Sequence, residues 1–190
     1  MQYDSKKHNR RSIRLKGYDY TQSGYYFITI CTYQKSCLFG AIANNKLNLN
    51  KFGQIAFTCW QAIPKHFSKI ELDEFIIMPN HIHGILIVTY NNGRGLVGNN
   101  SGRGLAMPNP YEGKFGKPVA GSIPTIIGSF KSAVTKQINI LRNSKGMSVW
   151  QRNYYEHIVR DEASLNQIRN YIINNPLSWT EDRLHPNCFD

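Results

Sequence analysis

Acidic side chains are scarce in this chain, and over one long stretch they vanish. Twelve Asp and Glu stand against 23 Lys and Arg in 190 residues, a formal charge of +11. No acidic residue occurs between Glu112 and Glu156, a segment that holds Lys114, Lys117, Lys131, Lys136, Arg142, Lys145 and Arg152. Such an imbalance favours a polyanionic partner, and nucleic acid is the commonest one. The four cysteines, Cys31, Cys37, Cys59 and Cys188, form no CxxC pair and have no histidine in zinc spacing, which excludes a zinc finger or ribbon. They read as reduced thiols of a cytosolic protein. Long apolar runs are missing as well: the best stretch, Phe75 to Val88, is interrupted by Pro79, Asn80, His81 and His83, so no membrane span is expected. The start is polar and basic, unlike a secretory leader.

What is present is a globular composition, 41% apolar, on a length suited to one domain with extensions. Lys6, Lys7, Arg10, Arg11, Arg14 and Lys16 crowd the first sixteen residues, so residues 1–20 read as a basic arm. As a bare charge run it could equally be a solvated tail. Residues 25–33 are β-branched and aromatic and predict a buried strand. Asn44-Asn45 predicts a turn before a short strand at 46–49. Residues 53–63 carry Ile55, Ala56, Cys59, Trp60 and Ile63 on one helical stripe, which Pro64 ends or kinks.

Residues 74–78 and 82–89 predict a hairpin at the sheet centre. Residues 91–121 hold eight of the fifteen glycines and read as a flexible loop. A helix follows over 124–142, then a strand over 154–159. Asp161 is the expected N-cap of a last helix that runs to Asn174 before Pro176. This order suits a ferredoxin-like α+β fold, an antiparallel sheet with two packed helices, plus an extra C-terminal helix. The domain is expected over 21–180, with 181–190 as a tail.

Two places carry chemical interest. His81-Ile82-His83 lies in a predicted strand, where residues two apart share a face. Two neutral imidazoles side by side either converge on a divalent ion or form a hydrogen-bonded pair at a sheet margin. On the last helix, Leu165, Ile168 and Ile172 make the apolar stripe. Gln167, Tyr171 and Asn175 form a separate polar line. Asn175 could offer an amide oxygen to a hard cation, or merely terminate the helix with Tyr171 at the surface.

Five segments then occur in order: Arg14-Leu15-Lys16-Gly17-Tyr18-Asp19-Tyr20, Met78-Pro79-Asn80-His81-Ile82-His83-Gly84, Ser129-Phe130-Lys131-Ser132, Trp150-Gln151-Arg152-Asn153-Tyr154-Tyr155-Glu156-His157 and Tyr171-Ile172-Ile173-Asn174-Asn175-Pro176. Over residues 10–180, apart from the glycine-rich loop, the chain resembles the single-tyrosine HUH transposases, and most closely the REP-associated tyrosine transposase branch. The resemblance implies Tyr171 as nucleophile and His81, His83 and Asn175 as ligands of Mg²⁺ or Mn²⁺. It further implies cleavage and rejoining of single-stranded DNA beside hairpins or palindromic repeats, through a 5′-phosphotyrosine. Arg10, Arg11, Arg14, Lys16, Lys131, Lys136 and Arg152 are the candidate DNA contacts.

A cytoplasmic, nucleoid-associated monomer or homodimer is expected. The alternatives are a non-catalytic hairpin-binding protein and a nuclease that hydrolyses without a covalent step. Trp150 could stack on a base, though packing suits it better, and His157 suits structural hydrogen bonding more than catalysis.

Overall fold

The computed structural model describes residues 18–44, 46–90 and 119–186. Chain order is β1 (Gly24–Cys31), β2 (Gly40–Ala43), β3 (Lys46–Leu49), α1 (Lys51–Gln61), α2 (Ile63–His66), β4 (Ile70–Ile77), β5 (His81–Val88), α3 (Ile123–Leu141), β6 (Tyr155–Val159) and α4 (Glu162–Asn174). Four strands form one sheet in the order β4-β5-β1-β6, with every neighbouring pair antiparallel. Counting only these strands the order is 2-3-1-4, the ferredoxin-like arrangement.

Strand alternation divides the apolar residues between two faces. Ile28, Ile30, Ile82 and Leu86 point to the main core, which they share with Ala56 and Trp60 of α1 and with Ile126, Phe130, Val134 and Ile138 of α3. On the opposite face Ile85 and Val159 meet Leu165 and Ile172 of α4. Burial of the last two side chains contributes roughly 1.5–3 kcal/mol apiece, enough to seat α4 across that face. Gly84 serves the main core, because a Cβ there would collide with Trp60 Cζ2 and crowd Phe75 Cβ at 3.0 Å.

Several expectations need correction. The β4–β5 hairpin is not central: β4 is an edge strand, and β5 and β1 are the middle pair. Its start at Ile70, four residues earlier than expected, is masked by Glu71, Asp73 and Glu74 and by a register shift between Leu72 and Phe75. The short strand β3 has a partner that the sequence did not suggest, β2, and together they form a separate two-stranded ribbon. Helix α1 begins at Lys51, because the Asn50 side chain accepts from the Phe52 and Gly53 N–H groups. Tyr20, placed in the arm, is buried in the main core, and the Ile123 N–H donates to its carbonyl. Asp161 does cap α4, its carboxylate accepting from Ser164 N at 2.8 Å. Most of the basic arm and most of the glycine-rich segment lie outside the described residues.

Candidate active site

His81 and His83 project from β5 on the face that α4 covers, both buried, with their rings 4.5 Å apart. The turn before them is anchored. Thr32 N and Oγ1 both donate to the Asn80 carbonyl, and Phe39 N donates to that of Pro79. The Asn80 side chain then assigns a tautomer. Its Nδ2 donates to the carbonyls of Lys35 and Leu184, at 3.0 and 2.6 Å, so its Oδ1 is the atom facing His81 Nδ1 at 2.7 Å. An amide oxygen only accepts, hence His81 carries its proton on Nδ1 and keeps a lone pair on Nε2. That Nε2 is buried without a hydrogen-bond partner.

His83 follows the same logic. Its Nδ1 pairs with Thr29 Oγ1 at 2.8 Å, and its Nε2 pairs with the Tyr171 hydroxyl at 3.1 Å. With the phenol as donor to Nε2, the Nδ1–H donates to Thr29. Burial holds the His81 pKa down to about 4, against the opposing pull of the Asp182 charge and of the Asn175 amide oxygen, which favour the protonated ring. Burial and the adjacent His81 hold His83 well below the ordinary value. Both rings are therefore neutral at pH 7, the state in which imidazole ligates a metal.

Helix α4 brings the remaining groups. Arg169 locks it to β4 through Asp73, with Nε 2.9 Å from Oδ1 and Nη2 2.5 Å from Oδ2. Burial works against the Asp73 carboxylate, but the Arg169 hydrogen bonds and charge and the Glu74 N–H outweigh it, and its pKa is lowered. Tyr171 is 47% exposed, and Asn175, at the helix end, is 2% exposed. Asn175 Nδ2 donates to Asp182 Oδ2 at 3.2 Å, which leaves Asn175 Oδ1 buried and unpartnered. Burial and the negative charge of Asp182 push the Tyr171 pKa up, against the hydrogen bond from Asn175.

Asp182, which no sequence motif marks, completes the group. Its carboxylate is 6% exposed and lies 3.8 Å from His81 Nε2. Donor atoms of His81, His83 and Asp182 lie within 4.8 Å of one another, so this buried group could hold a metal ion. No local signal would have found it: Asp182 follows a short 3-10 turn, Trp179–Glu181, in a segment without periodicity. Two orphaned lone pairs, on His81 Nε2 and Asn175 Oδ1, fit a divalent cation, since a buried acceptor left unsatisfied costs about 1–3 kcal/mol.

The basic candidates are scattered. Lys131, on α3, donates from Nζ to the carbonyls of Gln151 at 2.5 Å and Asn153 at 3.2 Å, and burial lowers its pKa to about 8. Lys136 is exposed on α3, across the sheet from the histidines, and Arg152 is exposed just before β6. Arg10, Arg11, Arg14 and Lys16 lie outside the described residues. Trp150 is packed between Phe39 and Phe130, with Nε1 donating to the Lys131 carbonyl. His157 is exposed on β6.

Among the described residues no helix is long and apolar enough to cross a membrane. No family model matches the sequence. The chain is similar in fold to a solved REP-associated tyrosine transposase bound to a REP hairpin, with a TM-score of 0.52 and 15% identity over 89% of this chain and 74% of that one. A Haemophilus influenzae protein, described as an uncharacterized protein, is 45% identical over 184 residues, 96% of this chain and 97% of its own length. Identity of that order along nearly the whole of both sequences leaves one conclusion: this chain belongs to the same family as the Haemophilus influenzae protein.

Proposed function

We propose that the protein is a transposase of the REP-associated tyrosine type, which cleaves and rejoins single-stranded DNA next to hairpins with Tyr171 as nucleophile. The observation that carries this reading is the contact of the Tyr171 hydroxyl with His83 Nε2, beside the unpartnered His81 Nε2 and Asn175 Oδ1. The likeness in fold to a hairpin-bound transposase supports the choice of substrate, as does the charge of +11.

His81, His83 and Asn175 would hold Mg²⁺ or Mn²⁺, with Asp182 beside them. When bound, such an ion polarises the scissile phosphate and stabilises developing charge, worth several kcal/mol. Tyr171 then forms an Oη–P bond as the P–O3′ bond breaks, giving a 5′-phosphotyrosine and a free 3′-hydroxyl. The phenol proton leaves to solvent and the departing 3′-oxygen gains one. A phenol of pKa about 10 costs about 4 kcal/mol to ionise at pH 7, and partial desolvation of Tyr171 together with the Asp182 charge adds to that. The phosphodiester energy kept in the tyrosyl ester allows a second DNA end to reverse the reaction. Because Tyr171 meets His83 of its own chain, a monomer suffices.

The test is incubation of the protein with Mn²⁺ and hairpin oligonucleotides bearing single-stranded flanks of randomised sequence. An SDS-stable protein–DNA adduct is expected from wild type and absent from Tyr171→Phe, which still binds DNA. Cleavage without adduct would mean a hydrolytic nuclease, and binding without either would mean a recognition module; both sink the proposal.

A further inference from the structure

A recess of about 750 Å³ opens on the site face beside Tyr171, within the range of about 300–1,000 Å³ typical of small-ligand sites. Its origin is a mismatch in cover. Helix α4 lies against β4 and the far end of β6, leaving the Cys31 end of β1 and the start of β6 without a helix above them. Thr29 pairs with Tyr155 across β1 and β6, so Tyr155 stands on the same face as His83. Its ring is half exposed at 50% although it sits on a sheet face rather than a loop. Phe27 links the two tyrosines: its ring stacks on His83 at 5.4 Å and meets Tyr155 and Tyr171 edge-on at 6.4 and 6.2 Å.

The segment that leads into β6 adds amides. Gln151 and Asn153 line the recess, and their backbone is held from several sides. Gln151 N donates to the Cys31 carbonyl, Thr32 and Trp150 form a bridge, and the Lys131 ammonium gathers the carbonyls of 151 and 153. An aromatic platform, flanked by amide side chains on a tethered backbone and continuous with the proposed nucleophile, matches one chemical class: a flat heteroaromatic ring with hydrogen-bonding edges.

Resting on the reading of the site as a DNA-cleaving centre, we infer that this recess binds an unpaired nucleobase flanking the scissile phosphate. Tyr155 is the stacking platform, and the side chains of Gln151 and Asn153 meet the base edge. Stacking supplies affinity with little sequence preference, because every base has a π-face. The amides supply what discrimination there is.

The probe is a DNA hairpin with oligo(dT) flanks in which thymines are replaced by 5-iodouracil, bound to the full chain carrying Tyr171→Phe so that no cleavage occurs. Irradiation is expected to cross-link the tryptic peptide 153–160 at Tyr155. Tyr155→Ala is expected to weaken binding of the flanked hairpin about five-fold or more, leave the flankless hairpin unaffected, and be rescued by Tyr155→Phe. Gln151→Ala, which keeps the platform, is expected to change base preference in the flank. Cross-links confined to other peptides, or a Tyr155→Ala affinity within two-fold of the parent, overturn the assignment. In the otherwise wild-type chain, an adduct that still forms in those cases leaves the cleavage reading standing. No adduct from any oligonucleotide sinks that reading first.

Discussion

The Tyr171 hydroxyl lies 3.1 Å from His83 Nε2 across 88 positions of sequence. The contact has a double meaning. It shows that the polar line of α4 and the histidine face of β5 meet within one chain. It also occupies the lone pair that a metal would need, so phenol and ion compete for one nitrogen.

Removal of that competitor has a measurable consequence. Tyr171→Phe is expected to bind Mn²⁺ as tightly as wild type or up to about five-fold more tightly, because a hydrogen bond worth roughly 1 kcal/mol no longer has to break. Isothermal titration of both proteins decides it. A large loss of affinity would make the phenol oxygen a ligand and contradict the scheme.

Asp182 is expected to matter to the same titration. Its carboxylate holds Asn175 Nδ2, turning Asn175 Oδ1 inward, and places negative charge near His81. Asp182→Asn is expected to lower Mn²⁺ affinity about 10–100-fold, the usual effect of losing a group that supports or joins a metal site. Unchanged affinity would show that the segment after α4 is only a cover.

Acid stability follows from the depressed imidazoles. In the unfolded chain these groups bind protons below about pH 6.5, whereas folded His81 resists until about pH 4 and His83 is also held well below its ordinary value. Between pH 6.5 and about 4 the unfolded state thus holds more protons, and metal-free stability falls as pH drops through that window. Thermal melts against pH for wild type and for His81→Asn/His83→Asn should diverge there and run parallel above pH 7. Parallel curves throughout would show the rings to be solvated.

The Arg169–Asp73 pair is expected to act on the site more than on the fold. Arg169 is one-third exposed, so solvent screening keeps its contribution to stability at about 1 kcal/mol or less. Yet it fixes the angle of the helix that carries Tyr171. Asp73→Asn should shift the melting temperature by only a few degrees while slowing adduct formation at least ten-fold, as misplacement of a reacting group does. Equal adduct rates would mean that Leu165 and Ile172 alone seat α4.

Local rules made a good part of this legible. The two-residue period of a strand puts His81 and His83 on one face whatever the rest of the chain does, and the stripe of Leu165, Ile168 and Ile172 separates Tyr171 from the apolar side of α4. The Asp161 cap and the core positions of α3 are equally local. Lys131 shows where that logic stops: a basic residue off the apolar stripe reads as a free cation, but its ammonium is turned onto the carbonyls of Gln151 and Asn153.

Periodicity and capping, which act within a few residues, determined the elements and which side chains each one presents. The tertiary structure alone decided that β4 is an edge, that Asp182 joins the histidines, and that Tyr155 opens into a recess beside Tyr171. The first follows from β4 pairing with β5 alone, and the others from how α4 and the segment after it are seated, by contacts of Ile85, Val159 and Asp73 with residues far apart in sequence. Their energies belong to pairs of surfaces, which no short window of residues contains.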